Sequence, residues 1–100
     1  MVRFEWDPPK NRTNIHNHGI AFQDAEKVFE DPNAIFEEDR VVDGELRLHA
    51  TGTMDGNVLV LVVHTVRYEE ESEVVIRIIS ARKAEPSERR RYRAQFAKAR

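Results

Sequence analysis

Lys10, His18, Arg67, Arg77, Arg82 and Lys83 are the side chains in this 100-residue sequence best suited to handling protons or gripping anions. His18 stands directly before Gly19. Histidine has an unperturbed pKa of about 6.5, so one side chain both gives and takes protons near neutrality. At the end of a helix the same imidazole could instead cap the last carbonyls, favoured there by the helix dipole. Nothing in the sequence separates cap from base. Lys10 follows Pro8-Pro9; it could touch a phosphate, or act as a base if desolvated, and otherwise reads as a solvated surface lysine.

Arg67 closes an apolar run beside Thr65 and Tyr68, where its planar fork could hold phosphate oxygens bidentately. Arg77 lies inside an apolar strand and must pair with an acid or face a cleft, because a lone buried guanidinium is very costly. Glu5 or Asp7 could supply that acid, and pairing is the favoured reading. Period two puts Ser80 and Arg82 on one face and Arg77 and Lys83 on the other. All four share a cleft only if the strand bends or twists sharply near Ala81. Arg82, at the strand exit, is the chosen catalytic cation, leaving Lys83 as a backbone contact or plain surface.

A metal centre is not supported. There is no cysteine, and His16 and His18, two apart, leave a helix in nearly opposite directions. His49 and His64 could meet across neighbouring strands, but two imidazoles without acidic or thiol company are weak grounds for zinc. Gly-rich phosphate loops, H-E-x-x-H and nucleophile elbows are absent. No cofactor is expected.

These residues need elements to hold them. Val2 to Trp6 reads as a short strand, and Asp7-Pro8-Pro9 as a helix start with Asp as N-cap. That helix runs to His18 and stops at Gly19. A second helix, about Gln23 to Glu30, shows an apolar stripe through Phe22, Ala25, Val28 and Phe29 and ends at Asp31-Pro32. Asn33 to Phe36 reads as a further short strand and Glu37 to Gly44 as an acidic loop. Leu46, Leu48 and Ala50 alternate with polar residues, and Asp55-Gly56 marks a tight turn. Val58 to Val66 is apolar on both parities, as a central strand covered on both faces should be. Glu69 to Glu73 is an acidic loop, Val74 to Ala81 the last strand, and Ser87 caps a final helix with Tyr92 and Phe96 turned inward. The spacing predicts one α+β domain over residues 1–100, β-α-α-β-β-β-α, with two helices on an antiparallel sheet of about four strands.

Charge is divided along the chain. Residues 82–100 hold eight Lys or Arg against Glu85 and Glu88, a net +6, while the rest nets −8. The tail can attract a polyanion that the whole chain would not; a solvated basic helix is the plainer reading. The longest apolar run is too short to span a bilayer, and Glu5 and Asp7 sit where a signal peptide needs basic then apolar residues. A cytoplasmic location is the default, with no membrane contact.

Two separated segments carry a family likeness. FEWDPPKN begins at Phe4, NHGIAFQDAEKVFEDP ends at Pro32, and IRIISARKA from Ile76 leads into ERRRY, ending at Tyr92. The combination resembles the BrnT toxins of bacterial type II toxin–antitoxin pairs, small ribonucleases with a RelE-like fold. The resemblance covers nearly the whole chain. It implies a metal-independent endoribonuclease that shuts down translation, with Lys10, His18, Arg67 and Arg82 catalytic and Arg77, Lys83, Arg89 and Tyr92 on the RNA. Such an enzyme needs a base for the ribose 2′-hydroxyl, cations for the phosphorane, an acid for the leaving 5′-oxygen and a surface for the RNA. Tyr92 could stack on a splayed base, although Phe96 one turn on favours core packing. In the family the His-Gly pair follows a basic residue; here Asn17 stands there. That departure keeps open a non-catalytic module that binds antitoxin, RNA or ribosome. A third reading makes the terminal basic helix a nucleic-acid reader, but it is single and lacks a dimerising heptad. The implied partner is a ribbon-helix-helix antitoxin forming a hetero-oligomer, with DNA touched only through it. The acidic stretches Glu37 to Glu45 and Glu69 to Glu73 could meet basic parts of that partner, or simply be solvated.

Overall fold

The computed structural model describes residues 1–97; Lys98 and Arg100 of the basic tail lie outside the described residues. The elements run β1 (Val2–Glu5), α1 (Pro8–His18), α2 (Phe22–Ala25) continued by a 3-10 turn (Glu26–Glu30), β2 (Ile35–Val42), β3 (Glu45–Thr53), β4 (Leu59–Glu69), β5 (Glu73–Lys83) and α3 (Pro86–Ala97). The strands form one sheet in the order β1-β5-β4-β3-β2. Among the described residues no helix is long and apolar enough to cross a membrane.

The sheet is therefore five-stranded and mixed, not an antiparallel sheet of four. β1 pairs parallel to β5, from Val2 opposite Val74 to Glu5 opposite Arg77. The expected acidic loop from Glu37 is mostly strand: β2 pairs with β3 from Ile35 opposite Thr51 to Val42 opposite Glu45. An edge strand can carry charge on both faces because its outer rim meets water. Asp43 and Gly44 close this hairpin with positive φ of 51° and 80°, the two-residue geometry that matches strand twist. The final helix starts at Pro86 rather than with Ser87 as its cap.

The predicted central strand holds: β4 lies third of five, between β5 and β3. Its two faces serve different layers. Val60 and Val62 join Ala50, Ile78 and Ala81 under Ile20, Phe22, Ala25 and Val28 in the main core. Leu59, on the opposite parity, packs with Ala84, Ile35 and Tyr92 beneath α3. At about 25 cal/mol per Å2 of apolar surface removed from water, these two layers supply most of the drive to fold.

One irregularity governs the site. Val63 pairs with Ser80 but His64 pairs with Ile78, so β5 carries an extra residue at Ile79. This bulge resets the alternation. Arg77, Ser80 and Arg82 lie opposite Thr65, Val63 and Leu61, and all three thus point to the α3 face. The unbroken period-two expectation, which set Arg77 apart from Ser80 and Arg82, fails for that reason.

Candidate functional site

α1 is polar on every side, and its sole buried residue is Asn14. Two asparagines rather than an apolar stripe dock it. The Asn14 amide donates to the carbonyls of Ile20 (2.8 Å) and Ala81 (2.9 Å) and accepts the Ala81 N–H (3.1 Å). Asn11 Oδ1 accepts the Phe22 N–H at 2.8 Å, tying α1 to the start of α2. Gly19 adopts φ 71° and returns its N–H to Ile15 O at 2.8 Å, ending the helix where expected.

β1 stops pairing at Arg77, so beyond it β5 runs as a free edge beside α1. The gap is a groove of about 300 Å3 lined by Lys10, Thr13, Asn14, Asn17 and His18 from α1 and by Ile79 and Ser80 from β5. Of the four residues expected in one hollow, Lys10 and His18 line it, about 12 Å apart along the helix axis at 1.5 Å per residue, and Arg67 and Arg82 do not. Thr13, Asn17 and the buried Asn14 line it too, beyond the residues the sequence reading names for the site. Their spacing was the available signal: positions 10, 13, 14, 17 and 18 form one helical face, polar where a core stripe would be apolar.

The arginines do not join them in that groove. Arg67 is fully engaged, its Nη1 and Nη2 on the Glu5 carboxylate at 2.7 and 2.9 Å and its Nε on Glu69 at 2.9 Å. Arg77 reaches the same Glu5 at 3.1 Å, the pairing favoured from its place in an apolar strand. Arg3 completes the cluster with Glu69 at 3.0 Å and Glu73 at 3.5 Å. Three guanidiniums meet three carboxylates, so the patch offers little net charge to a phosphate. The hydrogen bonds from Arg67, reinforced by Arg77 and opposed by partial burial, hold the Glu5 carboxyl down at about 2. Arg67 as a free phosphate fork is thus corrected.

Arg82 makes a bidentate pair with Glu88 of α3, both contacts 2.9 Å. Glu88 also accepts the Glu85 N–H at 2.8 Å, so one carboxylate both caps α3 and binds it to β5. The Arg82 pair lowers the Glu88 pKa despite burial. Lys83 is exposed at the end of β5, and Arg89 donates to the Ala84 carbonyl at 2.6 Å.

Tyr92 cannot stack on a base. The residue is 6% exposed, and its hydroxyl donates to Asp31 at 2.6 Å. Burial, then that bond, pushes the phenol up to about 12. Asp31 also accepts from Thr53 N–H and Oγ–H and from Asn33 N–H; burial raises its pKa, but these donors outweigh it and the net direction is down. His49 and His64 fall on opposite faces, opposite Val63 and Leu48 respectively, and do not meet. Among the described residues no three His, Cys, Asp or Glu side chains gather as a metal-binding group.

Fold and groove together define a small α+β domain bearing a lysine and a histidine in a polar hollow at a sheet edge. A family profile described as "Ribonuclease toxin, BrnT, of type II toxin-antitoxin system" matches residues 6–88, and the chain belongs to that family. The family consists of ribonuclease toxins, which act on RNA and are paired with a protein antitoxin. The crystal structure of the Brucella abortus ribonuclease toxin, BrnT, is similar with a TM-score of 0.60 and 29% identity, covering 85% of this chain and 99% of that one. No curated protein matches the chain.

Proposed function

We propose that this chain cleaves RNA without a metal ion in the α1–β5 groove, on a RelE-like scaffold, under the control of a ribbon-helix-helix antitoxin. The observation that carries this is the shared groove of Lys10, His18 and Ser80. His18 is the proton carrier: it takes the 2′-hydroxyl proton and the 2′-oxygen attacks phosphorus. The imidazolium returns the proton to the 5′-oxygen as its bond to phosphorus breaks, leaving a 2′,3′-cyclic phosphate and a 5′-hydroxyl. Lys10 offsets the charge gathering on the phosphorane, and the Ser80 hydroxyl donates to a phosphate oxygen. Arg82 stands two residues beyond Ser80 on the same face, about 7 Å along the strand. Held in a bidentate pair by Glu88, its guanidinium sits beside the groove with its charge largely met, and it is not a lining residue. Arg77 stands on the other side of Ser80, with Lys83 and Arg89 contacting the RNA backbone farther along.

The test is cleavage of a labelled RNA by purified chain in excess chelator. His18→Ala and Lys10→Ala should each slow it by about 100-fold without changing the melting temperature, since both side chains are exposed. Undiminished cleavage by both variants rejects this groove. A second reading, a module that binds RNA or antitoxin without cutting, draws on Asn17 lining the groove where the family pattern has a cation. RNA retained intact by the wild-type chain selects it.

A further inference from the structure

α1 and α2 cover only half of their face of the sheet. Beside the 3-10 turn the face is apolar and partly covered: Phe4, Phe29, Phe36, Leu48, Val66 and Ile76 line a groove of about 510 Å3, with Phe36 the most open of them. It continues past Leu48 and Val66 into a second hollow of about 380 Å3 walled by Leu46 and Tyr68. Phe36 is 57% exposed and Tyr68 81%. A contiguous apolar surface of this kind marks an interaction site, and pockets of several hundred Å3 are of ligand-binding size. Among the described residues none lines both this groove and the α1–β5 groove.

The floor contains a polar group. His64 Nδ1 bonds its own strand at Val62 O, 3.2 Å away, and the ring stands edge-on to Phe29 at 4.8 Å. His64 lines the groove from below, with only 1% of the residue exposed.

The rim decides the occupant. Glu30 forms one lip, Glu38 projects from β2 opposite Leu48 on the same face, and Glu45 borders the second hollow. The turn from Glu69 to Glu73, where β4 passes into β5, adds little to this rim, because Glu69 and Glu73 are paired with Arg3 and Arg67. An anionic border around an apolar floor repels RNA. It also repels a two-fold copy of itself, which would set glutamate against glutamate. A cationic, amphipathic protein segment satisfies both features.

We infer that this face docks a helix of the protein antitoxin, with apolar side chains at i, i+3 or i+4 and i+7 seated in the groove and Lys or Arg flanks meeting the glutamates. The inference rests on the toxin reading for the identity of the occupant. The probe is a helix-forming peptide of Leu at that spacing with Lys elsewhere, titrated into isotope-labelled full chain and followed by amide shifts. A Glu-for-Lys counterpart and an RNA oligonucleotide serve as contrasts. Expected are shifts at Phe36, Leu48, His64 and Val66 with the Lys peptide, weaker by tenfold or more with the Glu peptide. RNA should instead move Lys10, His18 and Ser80. Phe36→Glu and Tyr68→Glu, both at exposed positions, should each cut peptide affinity at least tenfold and leave RNA cleavage unchanged. Peptide shifts confined to α1 or α3, equal binding of both peptides, or indifference to both variants overturns the docking site. A wild-type dimer that Phe36→Glu dissociates overturns it as well, assigning the face to a second copy. Cleavage without docking defeats this inference alone; docking without cleavage defeats the toxin reading and with it the named occupant.

Discussion

Asn14 holds Ala81 as a neighbouring strand would, accepting its N–H at 3.1 Å and donating to its carbonyl at 2.9 Å. β1 has already left the sheet at this level, so a single side chain on α1 finishes the edge of β5. It also sets the width of the groove that Lys10 and His18 share with Ser80. Asn14→Ala removes both bonds and a third, to Ile20 O, orphaning buried backbone groups. At about 1–3 kcal/mol for each unsatisfied group, only partly offset by water, the loss should reach about 2–4 kcal/mol. Thermal melting should fall by on the order of 10 °C or more. Asn14→Asp should be no milder, since a carboxylate cannot donate to the two carbonyls. A melting temperature within a degree or two of wild type in both variants contradicts this account of how α1 docks.

Arg82 and Glu88 bind β5 to α3, and that pairing complicates the plainest test of Arg82 as a cation for catalysis. Arg82→Ala strands a mostly buried carboxylate. Breaking such a pair from one side costs about 3–5 kcal/mol, so lost cleavage in this variant would partly report unfolding. Arg82→Met with Glu88→Leu removes both charges and should recover most of the stability, measured by urea denaturation. Cleavage by the folded double variant then isolates the role of Arg82: a fall of tenfold or more is expected. Wild-type rates in the double variant would remove Arg82 from the mechanism.

Glu5 sets the acid limb of stability. Its folded pKa, about 2, lies below the ordinary carboxylate value of 4.5. The unfolded chain therefore binds a proton first as pH falls. The stabilisation is complete above about pH 4.5 and is lost progressively towards pH 2. Because the Arg67 partner is about half exposed, solvent screening reduces the contribution to on the order of 1–2 kcal/mol. Glu5→Gln should flatten the stability curve in that window while leaving two guanidiniums without their shared acid. An unchanged acid limb in this variant would show that the carboxylate does not titrate as its contacts require.

His64 acts in a higher window with the same sign. Burial lowers its pKa, the Val62 carbonyl opposes that, and His49 adds to it. The folded state thus disfavours the imidazolium relative to the unfolded chain, whose histidine titrates near 6.5. Stability is full above that value and declines as pH falls below it. His64→Leu should remove this slope below about pH 6.5. Denaturation at several pH values checks it, and parallel curves for the two proteins would count against a buried neutral imidazole.

How much of this was legible follows from which forces are local. The central strand could be read because β4 is apolar on both parities, and Gly19 because one residue type fits the left-handed cap. β2 was obscured because Glu37, Glu38 and Asp39 sit on an edge where water replaces a core. Yet Asp43-Gly44 carries the same turn signal in sequence as Asp55-Gly56, and it is Asp43-Gly44 that closes a two-residue hairpin with both φ positive. The parallel union of β1 with β5 and the bulge at Ile79 are settled by partners far along the chain. No window of sequence around them contains that information. The site divides the same way: Lys10 and His18 share a groove because one helix carries both, whereas Arg67 and Arg82 were claimed by Glu5 and Glu88 from distant or separate elements.

Asn17 offers the most direct probe of the groove. It is exposed and lines the hollow with Lys10 and His18, directly before the His18-Gly19 pair. Asn17→Lys adds a charge without disturbing a buried contact, so the fold should be unaffected. If RNA passes through this groove, the new ammonium meets one more phosphate. Affinity should rise several-fold at low salt, and the slope of log K against log salt should steepen by about 0.7, the increment for one added contact to a single strand. The same variant should raise the cleavage rate if Lys10 alone undersupplies the charge that gathers on the phosphorane. Arg40→Gln, an exposed charge on β2 away from the groove, controls for net charge and should leave the slope nearly unchanged. An unaltered slope in Asn17→Lys would place the RNA path elsewhere on the molecule, whatever cleavage the wild-type chain performs.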